Sequence, residues 1–380
     1  DPENADRYLT PEGWRSIEIH AERIDVAGTD PVDVQIPWTV WGPVLPAGAG
    51  RPARALVWLA HQPGGANLGL LEMERASSVE SALDLANRAG IPPQNVVIGD
   101  ADGNIAWTIA GRIPVRQGFD AGRPADWSRP GTGWHGWVDP ADYPRIVNPP
   151  GGRIWTANAR LVDGRWLAMI GDGGYALGAR AGQIRDRLAG IDQADADDMR
   201  AIHLDDRAVF IDRWRTLLLG LPWENGGDSA DREAFRTALN IWNGRASVNA
   251  VGFRLVFEFR QRVYDKVFAA LTAPVRERDP EFRFQASRQA EGALWRLLTE
   301  RPVHLLPRPW ESWEEFLLAM VDDTISGVGG DPGARSWGEA NVAAIRHPLS
   351  AAIPVLSAWL DMPEDPLPGA VHMPRVQRNS

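Results

Sequence analysis

The side chains able to do chemistry in this chain are few and scattered. Seven histidines stand at positions 20, 61, 135, 203, 304, 347 and 372, and their spacing makes no metal-ligating set. There is no cysteine, which removes disulfides, thiolate metal sites and a cysteine nucleophile together and leaves the redox compartment open. Neither a His-Glu-x-x-His helix, nor a Gly-x-Ser-x-Gly elbow, nor a phosphate-binding loop occurs. Gly131-Thr132-Gly133-Trp134-His135-Gly136 has the letters of a dinucleotide fingerprint, but it follows Pro130 and opens no helical pattern, so no dinucleotide is expected there. Asp100-Ala101-Asp102-Gly103 begins like a calcium loop; the closing glutamate is missing and hairpin sequence flanks it, so a turn is expected. His203 falls in an amphipathic helical stretch, where packing is the plainer expectation.

The elements that must carry these residues change character along the chain. Ile17 and Ile19, then Ile24 and Val26, alternate with charges and predict a half-buried strand over 16–26. A second strand is expected at 32–40, ending at Trp41-Gly42-Pro43-Val44, and a third at 55–60. Ser77 or Ser78 is placed to cap a helix running to Ala89, which Gly90 and Pro92 stop. Residues 95–99 and 105–110 predict a hairpin on the Asp-Gly turn between them. From 116 to 152 glycine, proline and tryptophan dominate without periodicity, which predicts a long packed loop, and a strand is expected at 153–157. Helical patterns then cover 175–189, 195–221, 231–242, 253–271, 287–300 and 313–325, with breakers at Asn225-Gly226-Gly227 and around 327–330. The fold class expected is α+β, with residues 1–174 mainly β, 175–330 mainly helical and 331–380 a return segment.

Composition bounds the function. A chain of 380 residues with 44% apolar and 24% charged residues is globular and long enough for two or three domains. Its formal charge of −10 and the lack of any Lys or Arg run argue against nucleic acid as a partner. No apolar run approaches the roughly 20 residues of a membrane-spanning helix. No basic and then apolar leader opens these residues. Lys266 is the only lysine among 40 basic residues, a bias of base composition rather than of function. The 18 tryptophans suit an apolar cleft as well as a core.

Four segments together resemble the β-chain of the penicillin acylase family of N-terminal-nucleophile hydrolases. They are DPENADRYLTPEGW at 1–14, NVVIGDADGNIAWTIAGRIPVR at 95–116, RIVNPPGGRIWTANAR at 145–160 and PGAVHMPRVQ at 368–377. WGPVL at 41–45 is similar to a His-Gly-Pro-Val turn of the family, with Trp41 where histidine is common. The resemblance implies an αββα sandwich of antiparallel sheets, here with a large helical portion and only part of the fold. It implies a two-step amide hydrolysis in which an N-terminal serine attacks and its own α-amine is the base. Acyl-homoserine-lactone acylases are similar in the same way.

The resemblance also implies site residues. Asn158 matches the asparagine whose side chain holds the oxyanion; on its own residues it reads rather as a turn cap at a strand end. Arg180 matches an arginine that orients that asparagine, and otherwise reads as a solvated helix residue. Asp172 and the carbonyl of Pro124 match ligands of a structural Ca2+, against a plain turn at Asp172-Gly173-Gly174. No cofactor is required for the chemistry. Asp1 is not the serine, threonine or cysteine the mechanism needs, so the chain is expected to be an internal piece that is inactive alone. It would work with the α-chain and the remaining β-chain segments of one precursor, on a small acyl amide, in a bacterial periplasm or outside the cell. The rival reading is a non-catalytic binding or structural module that keeps the sandwich and has lost the chemistry.

Overall fold

The strand-rich first half and the helical second half each build a compact unit in the computed structural model, which describes residues 1–48, 52–226, 229–284 and 289–377. Gly227 of the expected breaker and the first two residues of the helix expected at 287–300 lie outside the described residues. One unit is Asp1–Ile154 with Leu161–Gly173; the other is Trp155–Arg160 with Gly174–Ser380.

The first unit contains β1 (Arg7–Thr10), β2 (Gly13–Ser16), β3 (Glu18–Ile24), β4 (Val32–Thr39), β5 (Gly42–Leu45) and β6 (Arg54–Ala55). Helix α1 (Val79–Arg88) follows, then β7 (Gln94–Gly99), β8 (Ile105–Ala110), β9 (Pro114–Gln117), β10 (Gly133–Trp137), β11 (Arg145–Val147) and α2 (Gly164–Ile170). Every ladder between these strands is antiparallel, as expected. The sheets are β1-β2, β10-β9, β11-β8-β7 and β3-β4-β5-β6.

The hairpin of β7 and β8 forms where the turn chemistry demanded it. Asp100 Oδ1 accepts from the backbone N–H of Asp102 at 3.1 Å and of Asn104 at 2.9 Å, and Gly103 takes the left-handed conformation at φ 84. The Asn104 side-chain amide, with those backbone donors, holds the Asp100 carboxyl below its usual range. Strand β8 is apolar on both sides because both sides are covered. Ala106 packs with Val79 and Leu83 of α1, while Trp107 and Ile109 pack with Ile113 and Tyr143. Ser78 starts α1 through a capping box with Ser81, which satisfies two end groups that the helix itself cannot.

Four expectations are corrected here. Strand β3 is exposed along its whole length, not half-buried: it is the edge of its sheet, and Ile19 and Ile24 face outward beside the charges. Residues 55–60 give only the last residue of β6 and a 3-10 turn at Leu59–His61. The expected loop at 116–152 instead holds β10 and β11, and Gly133 of β10 pairs with Gln117 of β9. A side chain at Gly133, where φ is 139, would press its Cβ to 3.3 Å from Trp127, so glycine lets the tryptophan lie against the strand. Residues 153–157 form no strand and join no ladder.

In the second unit the helices are α3 (Ala179–Ala189), α4 (Ala196–His203), α5 (Val209–Leu219), α6 (Ala230–Ile241), α7 (Val251–Leu271), α8 (Ala273–Arg278), α9 (Ala290–Glu300) and α10 (Trp313–Gly327). Short helices α11 (Trp337–Ala340), α12 (Pro348–Ala352) and α13 (Ser357–Leu360) come last. The long α7 is the hub. Phe253, Leu255, Val256, Phe259, Val263 and Val267 are fully buried against Trp214 of α5, Phe235 and Leu239 of α6, Leu294 of α9, and Phe316 and Val321 of α10. Each such side chain contributes about 2–3 kcal/mol by leaving water. Among the described residues no helix is long and apolar enough to cross a membrane.

The single helix expected at 195–221 is two. Asp205 and Asp206 are buried in the break, where Asp205 accepts from Arg207 and Asp206 pairs with Arg245 from the far side of α6. Two adjacent buried carboxylates need guanidinium partners in different directions, and a continuous helix would not supply them. His203 sits exposed in the last turn of α4, so its expected packing role is withdrawn.

Candidate active site

The short segment carrying Asn158 is held in the second unit by backbone pairing rather than by a strand. Ala159 is buried and forms a parallel bridge with Ala176, and the Ala176 N–H donates to the Asn158 carbonyl at 2.8 Å. Asn158 therefore follows a stretch outside any ladder, not the strand expected there. Directly after Gly178 the chain enters α3, and Arg180 lies in its first turn. Its Nη2 donates to Asn158 Oδ1 at 2.6 Å.

That one bond decides the chemistry open to Asn158. A carboxamide has an acceptor end and a donor end that are nearly the same in shape. A guanidinium can only donate, so it selects the oxygen and fixes which way the amide is turned. The Nδ2–H2 group is then the end left for any further partner, and it is a pure donor. Such a group suits an oxygen on which negative charge develops, and the exposed position of Asn158 leaves it accessible.

Behind α3 lies an ionic cluster that the sequence did not reveal. Glu291 of α9 is buried and accepts from Arg213, from Arg260 and, at 2.9 Å, from the indole N–H of Trp214. Burial pushes its carboxyl upward, but the Arg260 charge and these donors outweigh it and leave the group below its ordinary range. The Phe210 ring carries His372 at 4.6 Å, Arg213 at 4.6 Å and Arg260 at 5.5 Å. Burial holds the His372 imidazole neutral, with its pKa near about 4. The positive charges of Arg260, Arg180 and Arg213 add to that effect, and Glu291 opposes it. No spacing links residues 210, 213, 260, 291 and 372; they meet because α5, α7, α9 and the segment carrying His372 pack together.

In the first unit Trp41 stands edge-on to Tyr8 at 5.6 Å and to Trp127 at 6.3 Å, and Trp127 also meets Phe119 and Trp134. The Arg116 guanidinium lies over Trp134 at 6.0 Å. Tryptophan at position 41 thus extends an aromatic row in which histidine would offer less area.

Asp172 and Pro124 are both exposed residues of the first unit. Among the described residues no three His, Asp or Glu side chains gather as a metal site. Calcium takes six to eight oxygens, so one carboxylate and one carbonyl do not make its site by themselves.

The chain is thus a mixed α+β protein of antiparallel sheets followed by helices. The chain matches thermostable penicillin G acylase from Alcaligenes faecalis with a TM-score of 0.62 and 20% identity, over 88% of this chain and 64% of that one. The penicillin amidase family model matches residues 1–380, and the chain belongs to that family. It is 28% identical over 370 residues to penicillin acylase 2 proenzyme of Pseudomonas sp. (strain SE83), covering 94% of this chain and 45% of the relative. Acyl-homoserine lactone acylase QuiP of Pseudomonas aeruginosa is 26% identical over 285 residues, covering 69% of this chain and 33% of the relative. The chain spans less than half the length of these curated relatives.

Proposed function

We propose that this chain is part of an amide hydrolase of the penicillin or acyl-homoserine-lactone acylase type, and that Asn158 supplies a side-chain donor to the oxyanion. The observation that carries this is the 2.6 Å bond by which Arg180 turns the Asn158 amide. Arg180 is the positioning residue. The nucleophile is a serine hydroxyl with its own α-amine as base, supplied from outside residues 1–380. The hydroxyl oxygen attacks the acyl carbon, the amine takes its proton, and the proton passes to the leaving nitrogen as the amide C–N bond breaks. Water then releases the acyl group from the ester so formed. The whole enzyme is a small-molecule acylase with an αββα sandwich, completed by the α-chain and the rest of the β-chain and placed in the periplasm or outside the cell. Its structural calcium, if Asp172 and the Pro124 carbonyl ligate it, needs further donors, and no step runs through it.

The test is Asn158→Ala in the full-length processed protein. Loss of one oxyanion donor lowers kcat by about 10²–10³ with ground-state binding much less affected, and Arg180→Ala lowers it less. Thermal melting of the same samples separates catalysis from stability. A normally matured Asn158→Ala protein with wild-type kcat removes Asn158 from the site.

A further inference from the structure

Helix α9 begins against the local rule. Its N-cap position is held by Gln289, whose side chain makes no capping bond to the helix. Asn, Asp, Ser and Thr are preferred there because a short side chain reaches the free N–H groups of the first turn. The Gln289 amide instead leaves its own helix and reaches 114 residues back in the chain. Its Nε2 donates to the Tyr175 carbonyl at 2.7 Å and to the Ala176 carbonyl at 3.4 Å. Ala176 is the residue that pairs with the Asn158 segment, through its N–H to the Asn158 carbonyl and its bridge to Ala159.

We propose that Gln289 is a positioning residue for Asn158, gripping the backbone of residues 175–176 on which the Asn158 backbone is paired. This rests on the proposed role of Asn158. Arg180 fixes the Asn158 side chain and Gln289 fixes the main chain beneath it, so the amide is held from two independent directions. A site that gives up a helix cap for a long-range bond has traded local fit for placement. Two properties of Gln289 are required: a donor, because both targets are carbonyl oxygens, and the length of its side chain. Asparagine keeps the amide and loses one methylene, so it reaches residues 175–176 worse.

The experiment compares Gln289→Asn with Gln289→Lys in the full-length processed protein. Gln289→Asn is expected to fold and mature normally while kcat falls about 3–10-fold, the weight of one modest hydrogen bond, with KM within about twofold. Gln289→Lys, which keeps a donor of sufficient reach, is expected to retain kcat within about twofold. Hydrogen exchange of the peptide spanning residues 157–177 provides a readout free of catalysis, and it should quicken about 3–10-fold in Gln289→Asn only. If the wild-type protein hydrolyses no amide, the proposed function fails while exchange still decides the tether. Unchanged kcat together with unchanged exchange in Gln289→Asn, or equal losses in both variants, overturns the proposal.

Discussion

His372 offers a sharp test of the cluster behind α3, because its charge state carries a predictable pH signature. The ordinary histidine value of 6.5 applies when the chain is unfolded, and the folded protein holds the group near about 4. Between those values the unfolded chain binds a proton that the folded chain refuses. Stability therefore rises with pH across this window and is lost as pH falls from 6.5 toward 4. Going from pH 7.5 to 4.5, one such group costs about 2.5 kcal/mol. Asp205 acts lower down. Burial pushes its carboxyl upward, but Arg207 and Gln183 bring it to about 2 from 3.8, so its stabilisation is present above 3.8 and lost only below it. Glu291, also lowered from 4.5, is likewise silent above that value. The interval from 6.5 to 4.5 thus isolates His372 from both carboxylates. The groups facing the imidazole are Arg180 of α3, Arg213 of α5, Arg260 of α7 and Glu291 of α9. The measurement is urea unfolding of wild type and His372→Gln at half-unit steps of pH, with tryptophan fluorescence as the signal. Glutamine removes the titration while its lost contact with Phe210 costs the same at every pH. The difference between the two proteins should therefore shrink by about 2.5 kcal/mol from pH 7.5 to 4.5, because wild type alone falls. Parallel curves over that interval would refute a neutral His372 in an arginine-rich setting.

Two more outcomes follow from the same description. Glu291→Gln leaves Arg213 and Arg260 without their carboxylate, and removing one partner of such a buried set should destabilise the protein by about 3–5 kcal/mol, read from the urea midpoint. If Asp172 helps hold calcium in the complete enzyme, a chelator should lower its melting temperature and Asp172→Asn should abolish that response; a response of equal size in both proteins removes Asp172 from the calcium site.

The local features of the fold were legible wherever a few neighbouring residues carry their own instructions. Ser78 with Ser81, and Asp100 with Gly103 and Asn104, each satisfy backbone groups within four residues, so a helix start and a hairpin could be read directly. The break in 195–221 could not, because its cause is Arg245 arriving at Asp206 from 39 residues away. Tryptophan and glycine between 116 and 152 conceal a ladder for the same reason: Gly133 pairs with Gln117 from 16 residues away, with Trp127 lying against the glycine. Exposure of β3 shows the opposite error, since alternation of Ile19 and Ile24 with charges signals a covered face whether or not these residues contain the cover. Asn158 and Arg180 were reached through the family resemblance, as 22 residues and a change of element separate them. Gln289 and His372 carry no local mark at all; the first is found by asking why a helix lacks its cap, the second by asking what shares a ring with two guanidiniums.

The segment around His372 also dictates an order of events during synthesis. Ala370 and Met373 are buried in the core of the helical unit, the Gly369 N–H donates to the Ala246 carbonyl and the Arg375 N–H to that of Asp205. Trp337 and Asn341 pin the same turn through the Gly369 carbonyl. The break between α4 and α5 is thus bonded to chain made about 170 residues later, and at roughly 5–20 residues per second that is an interval of about 10–30 s. Until then Ile211, Leu218 and their neighbours have a wall missing. A nascent chain that has not yet made residues 369–373 therefore lacks Ala370 and Met373, part of the buried core that completes the finished unit.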